Sequence, residues 1–322
     1  MRQRLVLGTR GSELARAQTA MVEQALRVVE PELEIAIQVI TTRGDEKGDA
    51  ILRLAASREE QGKTRRDGRK GLFTHEIERA LLDREIDAAV HSAKDLPSDM
   101  DDRLRIVAVL PRAPVEDVLI SKGPGGLAAL PQGAVVGTGS IRRLYQLRWN
   151  RSDLGTFDLR GNVPTRLRKL EENPWEAIIL ARAGIERLGY TLWSRGIRFG
   201  SRDFHAEILN QESFLPAGGQ GIVAIQVRSD DRRAAALVER ISHAETLSCL
   251  AAEREFLRLL EGDCDTPVGT LATITADVMT LRAHIFDEDH VEPKRGSLDS
   301  PAGSPLDLAQ NLWRQLYGRE KK

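Results

Sequence analysis

Short apolar runs alternate with helical patterns along the first third of the chain. The runs predict β-strands at residues 4–7, 35–40, 86–90 and 104–110. Between them, apolar residues recur at helical spacing from 13 to about 29, where Ser12 is suited to cap the helix, and from 72 to 82. This order of strands and helices predicts parallel sheets covered by helices.

The same rhythm starts again after a proline-bearing stretch at 111–114. Further strands are predicted at 118–121, 134–137, 156–159 and 177–180, with helices from 140 and near 165–170. A glycine-rich stretch then leads into a strand at 222–227, a helix at about 244–260, alternating residues at 266–285 and a closing helix at 306–317. The pattern therefore predicts two α/β units followed by a smaller α+β domain.

Composition limits what the chain can be. Its 322 residues, 41% of them apolar, are enough for two or three domains with real cores. The formal net charge of −1 argues against a nucleic-acid or membrane binder that acts through bulk charge. The chain shows no membrane-length apolar run, no signal-peptide pattern and no zinc or disulfide spacing of Cys249 and Cys264. We therefore expect a cytoplasmic protein without a metal ion.

Arginine recurs in short turns, most of which follow predicted strands. These turns are Thr9–Ser12, Thr42–Asp45, Gly139–Arg143, Leu159–Asn162 and Thr165–Arg166. Glycine lets a backbone approach a ligand closely, and a guanidinium matches a carboxylate or a phosphate. In α/β sheets, ligands bind at the carboxyl ends of strands. The turns predict a cleft for several negative groups, with carboxylate and phosphate both possible.

A dense polar cluster follows the predicted strand at 86–90. Lys94 and Asp95 lie there in a loop before Pro97, where a carboxylate can hold a developing positive charge or pass a proton. The alternative is a surface Lys–Asp pair before a proline turn. His91 fits a satisfied buried histidine better than a general base.

Two further segments leave alternatives open. Cys264 stands between Asp263 and Asp265, which disfavour a resting thiolate, so it is either structural or a covalent anchor. The charged segment 46–69 reads as a solvated loop or as a lid over an anionic site. Nucleic-acid binding fits this segment poorly because no aromatic residues interleave with its basic residues.

Several motifs together are highly specific, and they extend over nearly the whole chain. They are TRGS at 9–12, KGLF at 70–73, VHSAKDLP at 90–97, LRGNV at 159–163, LPAGGQG at 215–221 and LEGDC at 260–264. In this combination the chain resembles the porphobilinogen deaminase (hydroxymethylbilane synthase) family of tetrapyrrole biosynthesis.

The resemblance implies a transferase with a covalently held cofactor. Members of this family join four porphobilinogen molecules head to tail with loss of ammonia, then release a linear tetrapyrrole by hydrolysis. Their dipyrromethane cofactor is held by a thioether to the cysteine that matches Cys264. Asp95 matches the family's catalytic carboxylate, which would stabilise the cationic azafulvene formed as ammonia leaves.

The resemblance also divides the polar residues between two sets of pyrrole carboxylates. The set assigned mainly to the cofactor is Lys94, Ser140, Arg142, Arg143 and Arg166. The set assigned mainly to the substrate is Arg10, Ser12, Lys70, Arg160 and Arg187, and Lys70 ends the family's mobile loop. Arg43 and Asp45 match an anchoring motif.

The family fold has two α/β domains similar to type II periplasmic binding proteins and a smaller C-terminal α+β domain that carries the cysteine. The corresponding domains here would be 1–110 with 216–240, then 116–215, and then 244–322. We expect a monomer that takes porphobilinogen and binds no nucleic acid. The rival hypotheses are a solute-binding protein for a polycarboxylate and a cysteine hydrolase.

Three departures from the family pattern stand out in the sequence. Asp263 precedes the cysteine where glycine is common, Gly139 stands where serine is frequent, and the 46–69 segment is long and charged. Neither Cys264 nor Asp95 is affected, so the expected activity stands.

Overall fold

The computed structural model describes residues 3–41, 74–193, 196–260, 267–287 and 289–318. The chain forms two compact units, each assembled from two segments. Unit 1 combines Met1–Pro111 with Ile222–Leu247, and unit 2 combines Arg112–Gly221 with Ser248–Lys322. The chain therefore leaves unit 1 after Pro111, returns to it at Ile222 and leaves it again after Leu247.

A five-stranded sheet forms the centre of unit 1. Its strands are β1 (Arg4–Arg10), β2 (Glu34–Ile40), β3 (Ala88–Ser92), β4 (Leu104–Val109) and β12 (Val223–Arg228), in the order β2-β1-β3-β12-β4. The helices of this unit are α1 (Glu13–Val29), α2 (His75–Leu82) and α6 (Arg232–Glu239). Leu5 and Leu7 of β1 pack with Val22 and Leu26 of α1, which places the main core between sheet and helices.

The prediction of parallel sheets is wrong for part of this sheet. β1 runs parallel to β2 and β3, whereas β12 is antiparallel to both β3 and β4. All six residues of β12 are buried, and the sequence of a fully buried strand does not show in which direction the strand runs. Sequence pattern therefore could not reveal the reversed direction of β12.

Unit 2 contains a seven-stranded mixed sheet. Its strands are β5 (Asp117–Ser121), β6 (Val135–Gly137), β7 (Gly155–Phe157), β8 (Ala177–Ala181), β9 (Leu192–Trp193), β10 (Gly196–Phe199) and β11 (Arg202–Ile208), in the order β7-β6-β8-β5-β11-β10-β9. β6 is parallel to β7 and β8, whereas β5 is antiparallel to β8 and β11. The helices are α3 (Ile141–Asn150), α4 (Val163–Glu172) and α5 (Arg182–Arg187).

A separate three-stranded antiparallel sheet follows in the C-terminal segment. It comprises β13 (Val268–Thr275), β14 (Val278–Ile285) and β15 (Lys294–Pro301), and the adjoining helices are α7 (Ala244–Leu259) and α8 (Pro305–Tyr317). Phe256 of α7 and Leu312 of α8 pack against Met279 and Leu281 of the sheet. Cys249 is buried in the same core.

The predicted fold class is confirmed: two α/β sheet units and a smaller C-terminal sheet-and-helix domain. The exact domain boundaries stay a prediction. Several elements were not predicted, namely α5, α6, β9, β10, β11 and β15.

Candidate functional site

In unit 1, a rigid turn at the end of β3 presents Lys94 and Asp95. Ala93–Asp95 form one turn of 3-10 helix, in which the backbone N–H of Ala93 donates to the Ile222 carbonyl at 3.0 Å. Ala93 and Leu96 are buried on either side, whereas Lys94 is half-buried and Asp95 is exposed. The apolar residues thus fix a turn that holds the Asp95 carboxylate at the protein surface.

Arg10 and Ser12 lie at the same edge of the unit 1 sheet. Arg10 ends β1, which runs parallel to β3, and the carboxyl ends of parallel strands share one edge. The Ser12 hydroxyl caps α1 by accepting from the Ala15 N–H at 3.3 Å. The structure therefore brings Arg10, Ser12, Lys94 and Asp95 to one edge of this sheet.

His91 lies directly beneath this edge and is buried. Its Nε2 is 3.1 Å from Gln226 Oε1, and Gln226 Nε2 donates to Glu78 Oε1 at 3.1 Å. Burial lowers the pKa of His91 to about 4, helped by the charge of Arg10 and opposed by the Gln226 hydrogen bond. The ring is therefore neutral near pH 7, which confirms the prediction of a satisfied buried histidine.

In unit 2, the first turn of α3 holds two consecutive arginines deep in the protein. Ser140 is the N-cap residue, and Arg142 and Arg143 follow with relative exposures of only 3% and 5%. Both contact Asp117, which begins β5 and is fully buried. Arg143 Nη2 donates to Asp117 Oδ1 at 2.7 Å, and Arg142 Nη1 lies 2.8 Å from Asp117 Oδ2 as an ion pair without hydrogen-bond geometry.

The electrostatics of this cluster favour a charged carboxylate. Burial alone would raise the pKa of Asp117, but the adjacent charges of Arg142 and Arg143 outweigh it and hold the pKa well below its usual range. Burial lowers the pKa of Arg142, and the Asp117 charge opposes that shift. With one carboxylate and two guanidinium groups, the cluster retains an excess positive charge.

Buried donors of the cluster remain available for an anionic group. Nε of Arg142 and Nε of Arg143 are both buried without a hydrogen-bond partner among the described residues. Such donors are costly to leave unsatisfied, and they match the carboxylates of an anionic cofactor or substrate. The residues present therefore fit an anionic group at this position.

Two more predicted residues lie at the start of α4. Arg160 forms an ion pair with Asp158 at 2.8 Å, with side-chain exposures of 42% and 61%. Nε of Arg166 donates to the Gly161 carbonyl at 2.7 Å, while Asn162 caps the helix by accepting from the Thr165 N–H at 2.9 Å. Arg160 thus has an accessible partner that a ligand carboxylate could exchange with.

Arg187 ends α5 and reaches the glycine-rich segment that precedes β12. Its Nη2 donates to the Gly221 carbonyl at 2.7 Å, and burial lowers its pKa to about 10. Gly221 has a φ of +85°, and a Cβ there would collide with the Ala113 carbonyl oxygen. This crossing therefore requires glycine, and it fixes the acceptor that holds Arg187.

Sequence comparisons with known proteins agree on one family. Residues 5–236 match the family model described as porphobilinogen deaminase, dipyromethane cofactor binding domain, and residues 247–317 match its C-terminal domain. The chain belongs to the porphobilinogen deaminase family. Porphobilinogen deaminases of Roseiflexus sp. (strain RS-1) and Syntrophomonas wolfei are each 41% identical over 97% of this chain, covering 96% and 94% of their own lengths. That of Desulforudis audaxviator is 42% identical over 97% of this chain and 94% of its own length.

Membership of the porphobilinogen deaminase family confirms the predicted transferase class and dipyrromethane cofactor. It favours the enzyme over a solute-binding protein. Among solved structures, the methionine binding protein MetQ has a TM-score of 0.41 at 12% identity, covering 74% of this chain and 89% of that chain. A similarity of that size supports no functional conclusion.

Some predicted residues of this deaminase lie outside the described ranges. They are Cys264, Asp263, Lys70, Arg43, Asp45 and the segment 46–69. Within the described ranges, no helix has the length and apolar character needed to cross a membrane, and no group of three or more potential metal ligands is present.

Sequence reasoning missed the central partner of the paired arginines. Asp117 directly precedes the predicted strand 118–121 and was therefore left outside the element it begins. Gln220 was also missed, although its Nε2 donates to Asp117 Oδ1 at 2.9 Å. The one signal that pointed to such a residue was the pair of adjacent arginines at a helix start, which requires a counter-ion.

Proposed function

We propose that this chain is a hydroxymethylbilane synthase that condenses four porphobilinogen molecules and releases the linear product by hydrolysis. The buried arginine pair with unsatisfied Nε donors carries the proposal within the described structure, because it fits an anionic ligand. Family membership supports the same reaction. The dipyrromethane, when bound, supplies the free pyrrole carbon to which the first substrate is joined.

Asp95 is the proposed catalytic residue. Its exposed carboxylate stands on a turn whose flanking residues, Ala93 and Leu96, are buried. A fixed carboxylate can stabilise the positive charge that develops as the substrate loses ammonia, because it needs no reorganisation during the step. It can also hold the proton required by the leaving amine.

The remaining polar residues are proposed to hold carboxylates. Those proposed to hold the cofactor are Lys94, Ser140, Arg142, Arg143 and Arg166, with Cys264 as its covalent anchor. Those proposed to hold the substrate are Arg10, Ser12, Lys70, Arg160 and Arg187. Each porphobilinogen carries an acetate and a propionate, so several cationic side chains are needed for a growing polyanion.

We also propose that the protein acts as a cytoplasmic monomer that binds no nucleic acid. The near-neutral formal charge of −1 supports the last point. Sedimentation of the purified protein at several concentrations tests the monomer, since a concentration-dependent mass would contradict it.

Intact-mass spectrometry tests the proposed cofactor attachment. The purified wild type should be heavier than its sequence by a two-pyrrole adduct, and Cys264→Ser should lack that adduct. Cys249→Ala is the matched control, because Cys249 is buried in the C-terminal core and should leave the adduct in place. An active wild type without added mass would overturn the attachment.

Turnover of porphobilinogen tests the role of Asp95. Asp95→Asn should lower kcat by about 10²–10⁴-fold, because a neutral amide cannot balance the developing charge. Asp99→Asn is the control, since Asp99 is an exposed carboxylate four residues further along the same segment. Near-normal turnover by Asp95→Asn would remove Asp95 from the catalytic step.

A further inference from the structure

The arginine pair at the start of α3 poses an electrostatic problem. Arg142 and Arg143 are adjacent in sequence, both are buried, and both lie in the first turn of a helix. Two buried cations repel each other, and the positive end of the helix dipole adds to the cost. The pair therefore needs a counter-charge before any ligand arrives.

Asp117 supplies that counter-charge to both guanidinium groups. Its Oδ1 accepts from Arg143 Nη2 at 2.7 Å and from Gln220 Nε2 at 2.9 Å, while its Oδ2 lies 2.8 Å from Arg142 Nη1. Gln220 Nε2 also donates to the Val115 carbonyl at 2.7 Å, which holds the glutamine against the same segment. Gln220 therefore holds the Asp117 carboxylate in place, and each of its two oxygens faces a different arginine.

Each arginine is also held from a second direction. Arg142 Nη1 donates to Gln146 Oε1 and to the Leu215 carbonyl, both at 2.7 Å. Arg143 Nη1 donates to the Ile179 carbonyl at 3.0 Å. The terminal nitrogens Nη thus anchor both groups to the protein, whereas both Nε atoms lack a partner among the described residues.

We propose that Asp117 is a positioning residue that holds Arg142 and Arg143 in place without ligand and shares them, as counter-ion, with one carboxylate of the cofactor. The ligand carboxylate joins Asp117 rather than replacing it, because Asp117 is fully buried and its displacement would leave an unpaired charge in the protein interior. One carboxylate and two cations leave a single excess positive charge, which one ligand carboxylate neutralises. This inference rests on the proposed function.

If the two arginines are shared, the effect of replacing Asp117 depends on whether the cofactor is bound. A purely structural role of Asp117 predicts no such dependence. If Asp117 and the ligand carboxylate balance the same two cations, removing the Asp117 charge is most harmful when the ligand is absent. Replacing a residue that merely stabilised the fold would lower the stability by the same amount in both forms. The comparison therefore needs the protein with and without its cofactor, and its measurement is thermal unfolding rather than activity.

The experiment measures the melting temperature of Asp117→Asn in two backgrounds. The loaded form has Cys264 with its adduct confirmed by mass, and the cofactor-free form carries Cys264→Ser. Asp117→Asn should lower the melting temperature by about 10 °C in the cofactor-free form and by less than half of that in the loaded form. Equal losses in both forms, or a larger loss in the loaded form, would overturn the proposal.

Two further variants keep the test decisive. Asp158→Asn removes an exposed acid that pairs with Arg160. It should lower the melting temperature of both forms by the same small amount. If Asp117→Asn does not fold without cofactor, Arg143→Gln is added to return the cluster to the single excess positive charge of the wild type, and the double variant should recover folded protein. No recovery would contradict a charge-based role for Asp117.

The outcome separates this inference from the proposed function. A wild type without the two-pyrrole adduct would contradict the cofactor attachment and leave no loaded form to compare. A wild type with the adduct and equal melting losses would contradict only the sharing of Arg142 and Arg143.

Discussion

Glu253 links α7 to the glycine-rich segment 215–221 of unit 2. The substitution Glu253→Gln should lower the free energy of unfolding. The side chain is fully buried and accepts from Arg112 Nη1 at 2.6 Å and Nη2 at 3.2 Å. It also accepts from the backbone N–H of Gly219 at 2.6 Å and of Ala272 at 2.8 Å. One carboxylate thus links α7, the glycine-rich segment and β13.

The expected cost follows from what the amide cannot do. Glutamine keeps the volume but has one acceptor oxygen, so its NH₂ group faces donors that the second carboxylate oxygen had satisfied. Arg112, whose side chain is 13% exposed, also loses its charge partner. Breaking a buried ion pair costs about 3–5 kcal/mol, and we expect a loss near 4 kcal/mol of unfolding free energy. That loss corresponds to a decrease in Tm of roughly 10 °C.

Thermal and urea unfolding, followed by far-ultraviolet circular dichroism, measure this loss. Asp203→Asn is the control, because Asp203 pairs with Arg198 on the surface of the same unit and its removal should matter little. A decrease in the Tm of Glu253→Gln of less than about 2 °C would refute the assignment of a large stabilising role to this carboxylate.

Three further predictions concern pH, backbone conformation and substrate binding. Because the pKa of folded His91 is about 4, below its usual 6.5, its contribution to stability is complete above pH 6.5 and is lost as the pH falls toward 4. The loss should reach roughly 3 kcal/mol, and urea midpoints at pH 7 and pH 4.5 should differ less in His91→Gln than in wild type. Gly221→Ala should lose clearly more stability in urea unfolding than Gly133→Ala, since both have positive φ but only Gly221 is crowded by a carbonyl. If the two lose equal amounts, the close approach at Gly221 is unimportant. Arg160→Ala should raise KM for porphobilinogen by about tenfold, whereas Arg168→Ala on the exposed face of α4 should not; a normal KM for Arg160→Ala would exclude it from the site.

The sequence predicted those elements whose pattern depends only on local contacts. The α1 helix matches the predicted bounds because Ser12 caps it and its apolar residues repeat at helical spacing. β15 was missed because its sequence is polar and it pairs only with β14, at the edge of its sheet. The sequence likewise did not reveal the reversed direction of β12, since strand direction depends on long-range pairing that a short buried segment does not encode.

For the candidate site, the sequence identified the cations but not their protein partners. Arginines beside glycine and serine are a local signal, so Arg142, Arg143 and Arg160 could be proposed from the sequence as anion-binding residues. Asp117 is 25 residues before Arg142 in the sequence, and the two residues meet only in the folded protein. A single acid at the start of an apolar strand carries no mark of that role.

The partners divide the predicted arginines into two kinds with different consequences for a growing polyanion. Arg160 is paired with the exposed Asp158, so a ligand carboxylate can displace that acid at little cost and leave again. Arg142 and Arg143 are fixed to the buried Asp117, and displacing it would strand a charge in the interior. A ligand carboxylate that can replace Asp158 and leave again suits a substrate that must move as each pyrrole is added. A ligand carboxylate that binds beside Asp117 suits a cofactor that stays in place. The assignment of Arg160 to the substrate and of the buried pair to the cofactor therefore agrees with the physical character of each partner.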